Sequence, residues 1–244
     1  MTQDRIAIAD EQLFQNLDRV IEEEKNKKLV KIVKITDAEK QLAQEKAEQE
    51  VFAHIEQLIA TDQSLIEEFF SALQDFHIAA WQEISLLVWS QKKTLGQNPS
   101  WKDLLKVGFA LQVPENLLQN LYQIGTEYYK NGKYSIALGC FLFLTGLIPD
   151  RAQVWLFQGI CQQHLRQLER AFSSFQTVVT LDSQLCIVYP LMIECLILAH
   201  QPDQAKNLYE ALLQDADIRI MQEQPSFQAE MEGLKKYFSR TQST

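Results

Sequence analysis

LYQIGTEYYKNGKYSIALGCF, residues 121–141, is the stretch that decides the fold, because its pattern returns at a fixed interval. WLFQGICQQHLRQLERAFSSF follows 34 residues on (155–175), and YPLMIECLILAHQPDQAKNLY a further 34 on (189–209). Leu121 then corresponds to Trp155 and Tyr189, Gly125 to Gly159, Ala137 to Ala171 and Ala205, and Phe141 to Phe175 and Tyr209. A constant period of about 20 to 50 residues marks stacked repeats. Apolar residues at helical spacing on both sides of a turn make each repeat a hairpin of two helices, A and B.

The residue types explain themselves. Gly125 and Gly159 on helix A, and Ala137, Ala171 and Ala205 on helix B, are small enough for the two helices to cross closely. Phe141, Phe175 and Tyr209 fill the space between successive hairpins. Asn131-Gly132 supplies the turn inside the first hairpin, and Pro149-Asp150 leads into the second. The third departs, with Ile193 where glycine is expected and Gln201-Pro202 as its turn, so its helices are expected to be spaced differently. The repeats are read as 118–151, 152–185 and 186–217, and 218–244, with Phe227, Met231, Leu234, Tyr237 and Phe238, as a capping helix and tail. The fold class expected is an all-α solenoid, whose ends need polar-faced caps and whose inner side is a concave groove. Helix A residues turned away from the packing positions line that groove: Tyr122, Thr126 and Tyr129, then Leu156, Ile160 and Gln163, then Ile187, Glu194 and Ile197. Tyrosines offer a wide apolar face with a polar tip, suited to gripping an extended peptide.

Working outward, 98–117 is a lead-in helix (Trp101 to Leu111) after the turn cluster Gly96-Gln97-Asn98-Pro99-Ser100, and 1–97 is an N-terminal helical extension. Within it, Leu13, Phe14, Leu17, Val20 and Ile21 form an apolar stripe. Leu29 to Ile35 mixes Val, Ile and Lys and reads as extended or as helix. Thr36-Asp37-Ala38-Glu39 is a capping box ahead of a helix ending near Ile59, and Ser64-Leu65-Ile66-Glu67 is a second, opening a helix that runs from Leu65 to Val88 at a 3.6 period. That last helix is too apolar to stand alone. It must pack on the repeats, on the Ala38 to Ile59 helix or on a second subunit, and the groove could also be filled from within.

Composition removes several function classes. A formal charge of −9 and a pI near 5.0 disfavour nucleic acid, which requires a basic face, and disfavour anionic lipid. The longest nearly apolar stretch, Ile136 to Ile148, falls short of the ~20 residues that span a bilayer. Met1 to Arg5 carries no leader pattern, so a cytoplasmic protein without stable membrane insertion is expected. Cys140, Cys161, Cys186 and Cys195 show no C-x-x-C spacing and read as reduced core thiols. His54, His77, His164 and His200 lie in separate elements with no metal-ligand or triad spacing, and Gly132-Lys133 lacks the Ser or Thr of a phosphate loop. Glu22-Glu23-Glu24 and Glu67-Glu68 read as solvated faces. No enzyme, cofactor or metal is expected.

Leu121-Tyr122-Gln123, Asn131-Gly132-Lys133-Tyr134 with Ala137, Gly159-Ile160-Cys161 and Glu194-Cys195-Leu196 resemble the class II type III secretion chaperones, a tetratricopeptide-repeat family, over about Leu105 to Leu213. The resemblance implies a cytosolic chaperone of a Gram-negative bacterium whose groove holds an extended segment of a hydrophobic secreted translocator, and it admits a homodimer. Matched position by position, Tyr122, Tyr129, Tyr134 and Phe141 fall on the family's aromatic groove positions, while Thr126 stands where an aromatic is usual. The rival reading is an adaptor or structural component of the secretion apparatus, including a needle-subunit chaperone, that uses the same surface.

Overall fold

The computed structural model describes residues 61–90, 113–182, 185–214 and 225–241. The Leu13 to Ile21 stripe, the Leu29 to Ile35 segment, the Thr36 capping box, the Ala38 to Ile59 helix, the Gly96 turn cluster and the Trp101 lead-in helix lie outside them. The described elements are all helical: α1 (Gln63–Phe76), α2 (Ile78–Ser90), α3 (Glu115–Lys130), α4 (Tyr134–Leu147), α5 (Ala152–His164), α6 (Leu168–Leu181), α7 (Val188–Leu198), α8 (Pro202–Gln214) and α9 (Pro225–Thr241). Residues 42–205 form one compact unit, and residues 1–41 with 206–244 another.

In the first unit α3 pairs with α4 and α5 with α6, and α4 stacks on α5 and α6 on α7. Close approach within each hairpin rests on glycine. A methyl group at Gly125 would come within 2.9 Å of Cys140 Sγ and 3.0 Å of the Phe141 ring, and one at Gly159 within 2.5 Å of the Phe175 ring. Ala137, Ala171, Phe141 and Phe175 are all fully buried at these crossings. The turns repeat as well as the helices. Gly132, Arg166 and His200, each 34 residues from the next, have φ of 72°, 62° and 59°. At each, the residue's own amide bonds three residues back and the following amide five back: Gly132 N to Tyr129 O (2.9 Å) and Lys133 N to Tyr128 O (2.9 Å), with the same pair at Arg166–Gln167 and His200–Gln201. This left-handed closure satisfies the last carbonyls of helix A and reverses the chain.

A buried polar ladder ties two hairpins. The Thr145 hydroxyl faces the Leu142 carbonyl (2.9 Å) and the Gln158 side-chain oxygen (3.0 Å), the Gln158 amide donates to Ser174 Oγ (3.1 Å), and Ser174 donates to Gln162 Oε1 (2.8 Å). Four side chains on α4, α5 and α6 thus satisfy one another away from water.

The structure corrects two expectations about the extension. The Leu65 to Val88 stretch is two helices, broken at His77, whose φ of −130° and ψ of 55° end α1. And α1 is not capped by Ser64, which lies inside the helix: the N-cap is Asp62, whose backbone oxygen accepts from Leu65 N (3.1 Å) and Ile66 N (3.2 Å). The Asp62 carboxylate makes no cap bond; it receives the Thr61 hydroxyl (2.9 Å) and pairs with Arg170 on α6.

Among the described residues, that stretch packs on the repeats. The α1 helix lies on α4, the second helix of the first hairpin: Phe70 meets Phe143 edge-on at 4.9 Å, and a methyl at Gly139 would run into the Leu65 carbonyl. The α2 helix packs on α1 and α3, with Phe70 against Trp81 (6.0 Å) and Asn116 donating to Glu83 (3.1 Å). With neighbours on three sides, α4 is buried from Ala137 to Leu147. In the second unit Phe227, Leu234 and Phe238 form the buried stripe of α9, and the Phe238 ring lies 5.0 Å from Tyr209.

Candidate functional site

Most of the residues expected to line the groove stand on the first helices of the hairpins, at positions related by the 34-residue period, while Tyr134 and Phe141 stand on α4 and Ile187 is the N-cap of α7. Between α3 and α5 they form one aromatic cluster. Tyr122 stands edge-on to Phe141 (5.9 Å) and Phe157 (5.6 Å), and Phe141 stacks on Phe157 at 5.2 Å. Tyr129 touches Tyr134 (5.5 Å) and Phe157 (6.0 Å), and its hydroxyl lies 3.1 Å from His164 Nε2. Tyr134 lies flat on the His164 ring at 4.2 Å and 9°. Offset and edge-on pairs of this kind add about 0.5 to 1.5 kcal/mol each beyond their buried area, so the cluster binds the first two repeats as well as shaping the surface.

The structure sorts the expected residues by access. Tyr122, Thr126, Tyr134, Gln163, Ile187, Glu194 and Ile197 are partly exposed. Phe141, Leu156 and Ile160 are at most 1% exposed and Tyr129 is 2% exposed, so these four are packing residues here rather than accessible lining. The reason is that α5 is buried along nearly its whole length, from Val154 to Gln162, as befits the middle helix of the unit. The Thr126 hydroxyl turns back to donate to its own helix at Gln123 O (2.8 Å). Gln163 donates to Glu194 at 3.4 Å and so joins the second repeat to the third.

Two members were not singled out from sequence. His164 reads from sequence as one of four histidines in separate elements, and Phe157 carries no reading there. A 34-residue shift from Lys130 leads to His164, so the period carries a signal for its place in the last turn of helix A, but its partners come from the neighbouring hairpin.

Among the described residues no group of three His, Cys, Asp or Glu side chains is arranged to hold a metal. The four cysteines are free and buried, and burial pushes the Cys186 thiol up to about 11, Cys195 to about 12 and Cys140 higher still, the reverse of what a nucleophile needs. Among the described residues no helix is long and apolar enough to cross a membrane.

No family model matches the sequence, and no curated protein matches it. Solved structures do. A CopN–Scc3 complex matches with a TM-score of 0.50 at 15% identity, over 64% of this chain and 98% of that one. The chain is an all-α solenoid of the tetratricopeptide-repeat kind. A T3SS complex from Aeromonas hydrophila matches with a TM-score of 0.47 at 21% identity, over 64% of this chain and 97% of that one. PcrH in complex with the chaperone binding region of PopD gives 0.47 at 22%, over 54% and 96%. At these identities the likeness is one of fold. This chain is longer than each of them.

Proposed function

We propose that the groove of this solenoid binds an extended, apolar segment of a secreted translocator of a type III secretion system, keeping that protein soluble and ready for export. The observation that carries the reading is the aromatic cluster in which Tyr122 on α3, Tyr134 at the start of α4 and His164 at the end of α5 are partly exposed, with Ile187 and Ile197 partly exposed in the third repeat. Half-exposed rings held rigid by edge-on and stacked neighbours form anchor pockets at small entropic cost, because they are fixed before any partner arrives. The sequence motifs at Asn131 to Ala137 and Gly159 to Cys161, which resemble translocator chaperones, support the same reading. The protein acts in the cytoplasm, by binding alone, without cofactor or metal. In this reading the repeats at 118–151, 152–185 and 186–217 supply the groove, and 218–244 is a capping helix and tail.

The test is capture by the full-length chain in its own host. Tyr122→Ala combined with Tyr134→Ala should leave the helical circular dichroism unchanged and reduce recovery of one secreted, membrane-inserting chain at least tenfold. Recovery of apparatus proteins alone, or capture indifferent to both substitutions, would move the function to an adaptor.

A further inference from the structure

Position 126 and its equivalents set out the length of the groove. Steps of 34 residues lead from Thr126 on α3 to Ile160 on α5 and Glu194 on α7, so the three stand at matching places on successive first helices. These helices touch in turn: Tyr122 and Tyr129 meet Phe157 (5.6 and 6.0 Å), and Gln163 donates to Glu194 (3.4 Å). Packed helices lie about 8 to 10 Å apart, which puts Thr126 and Glu194 about 16 to 20 Å from each other. An extended chain rises about 3.3 Å per residue and covers that distance in about five or six residues.

The two ends differ in chemistry. Thr126 is partly exposed between two larger residues on the same face of its helix. At about 1.5 Å of rise per residue, Tyr122 stands about 6 Å to one side along the axis and Tyr129 about 4.5 Å to the other, within the range of about 4.5 to 7 Å at which rings pair. Phe157, 1% exposed, already lies against both tyrosines from α5, so their spacing accepts a ring. The Thr126 hydroxyl donates to Gln123 O (2.8 Å) and its proton is taken up within the helix. Beside Tyr129 stands the partly exposed Tyr134 and His164 stack. None of these side chains is a carboxylate, an ammonium or a guanidinium. At the far end Glu194 is partly exposed, and a carboxylate accepts several donors. The other residues expected to line the groove carry no formal charge, so the charge that a client meets among them is negative and lies in the third repeat.

We infer that the groove selects segments in which an aromatic and a basic side chain stand about five or six residues apart, the ring over Thr126 and the cation on Glu194. The inference rests on the groove reading above and gives the client's motif. A segment with an acidic residue in the basic place meets like charge at Glu194 and is rejected.

The probe is a displayed library of random peptides about twelve residues long, enough when extended to cross the three first helices, selected on the full-length chain. Enriched peptides should share the aromatic and basic residues at that spacing. For a synthetic peptide of the selected kind, Thr126→Phe, which fills the opening, should weaken binding by about tenfold, and should have little effect on the same peptide with alanine in place of its aromatic residue. Glu194→Lys should weaken binding by about fivefold and should prefer the peptide carrying glutamate in the basic place, a reversal that only a folded variant can give. Enriched peptides without the spacing, no enrichment at all, or affinities indifferent to both substitutions overturn the inference. If client capture in the host still depends on Tyr122 and Tyr134 in that event, only the motif fails; if it does not, the groove reading fails with it.

Discussion

The left-handed turn residues show how much one backbone angle decides. Gly132, Arg166 and His200 close equivalent turns, yet only the first is glycine. A side chain in this region costs about 1 kcal/mol or more, whereas glycine adopts it freely. Arg166→Gly should therefore be close to neutral or stabilising, by less than about 1 kcal/mol, because the relief is partly offset by a more flexible unfolded chain. Gly132→Ala should instead destabilise by about 1 to 2 kcal/mol. Urea midpoints compare the two directly. Other residues were legible in advance for a similar reason: Gly125 and Gly159 sit against rings that leave no room for a methyl group, and the same constraint recurs at the same interval. Gly139 obeys an equally strict limit against Leu65, but that contact comes from outside the repeats, so the period could not announce it.

At the level of elements, helices were easier to read than their ends. The apolar period from Leu65 to Val88 continues across His77 without a glycine or proline, and the break there is set by α1 and α2 packing on different helices, α4 and α3. Ser64 and Asp62 are both good capping types; Asp62 stands at the N-cap, and its carboxylate pairs with Arg170, 108 residues away. The proposed groove shows the same limit: Tyr122 follows from the helical spacing of the repeat and Tyr134 from the family resemblance, but the burial of Leu156 and Ile160 depends on neighbours that helical spacing does not name. The Asp62–Arg170 pair is lopsided, with Asp62 2% exposed and Arg170 43% exposed. Asp62→Ala frees an arginine that water can solvate and should cost about 1 to 2 kcal/mol, while Arg170→Ala strands a buried carboxylate and should cost more, about 3 kcal/mol. A double-mutant cycle by urea unfolding checks the asymmetry: the double variant should resemble Asp62→Ala alone.

For the molecule as a whole, the buried thiols make stability fall in alkali. Burial holds the Cys186 and Cys195 protons up to about 11 and about 12, against 9.0 when the chain is open, and Cys140 shifts the same way. A raised folded value means that the folded state keeps protons the unfolded state releases, so the contribution is intact below pH 9 and is lost as pH rises toward 11 and 12. By pH 10 the loss is about 1.4 kcal/mol per thiol, and burial raises Tyr128 and Tyr209 in the same sense. Urea midpoints at pH 7.5 and pH 10 should differ accordingly, and replacing Cys186 and Cys195 with alanine should flatten the difference.

The placement of α1 also sets how the molecule bears load. Tension entering from the N-terminal side reaches Asp62 before any other part of α1, and Asp62 is fastened to α6 while the rest of the helix lies on α4. A pull would therefore be carried first by the second repeat, and α1 would give way as a latch that snaps at one point and then peels, turn by turn, from Ile66 toward Phe76.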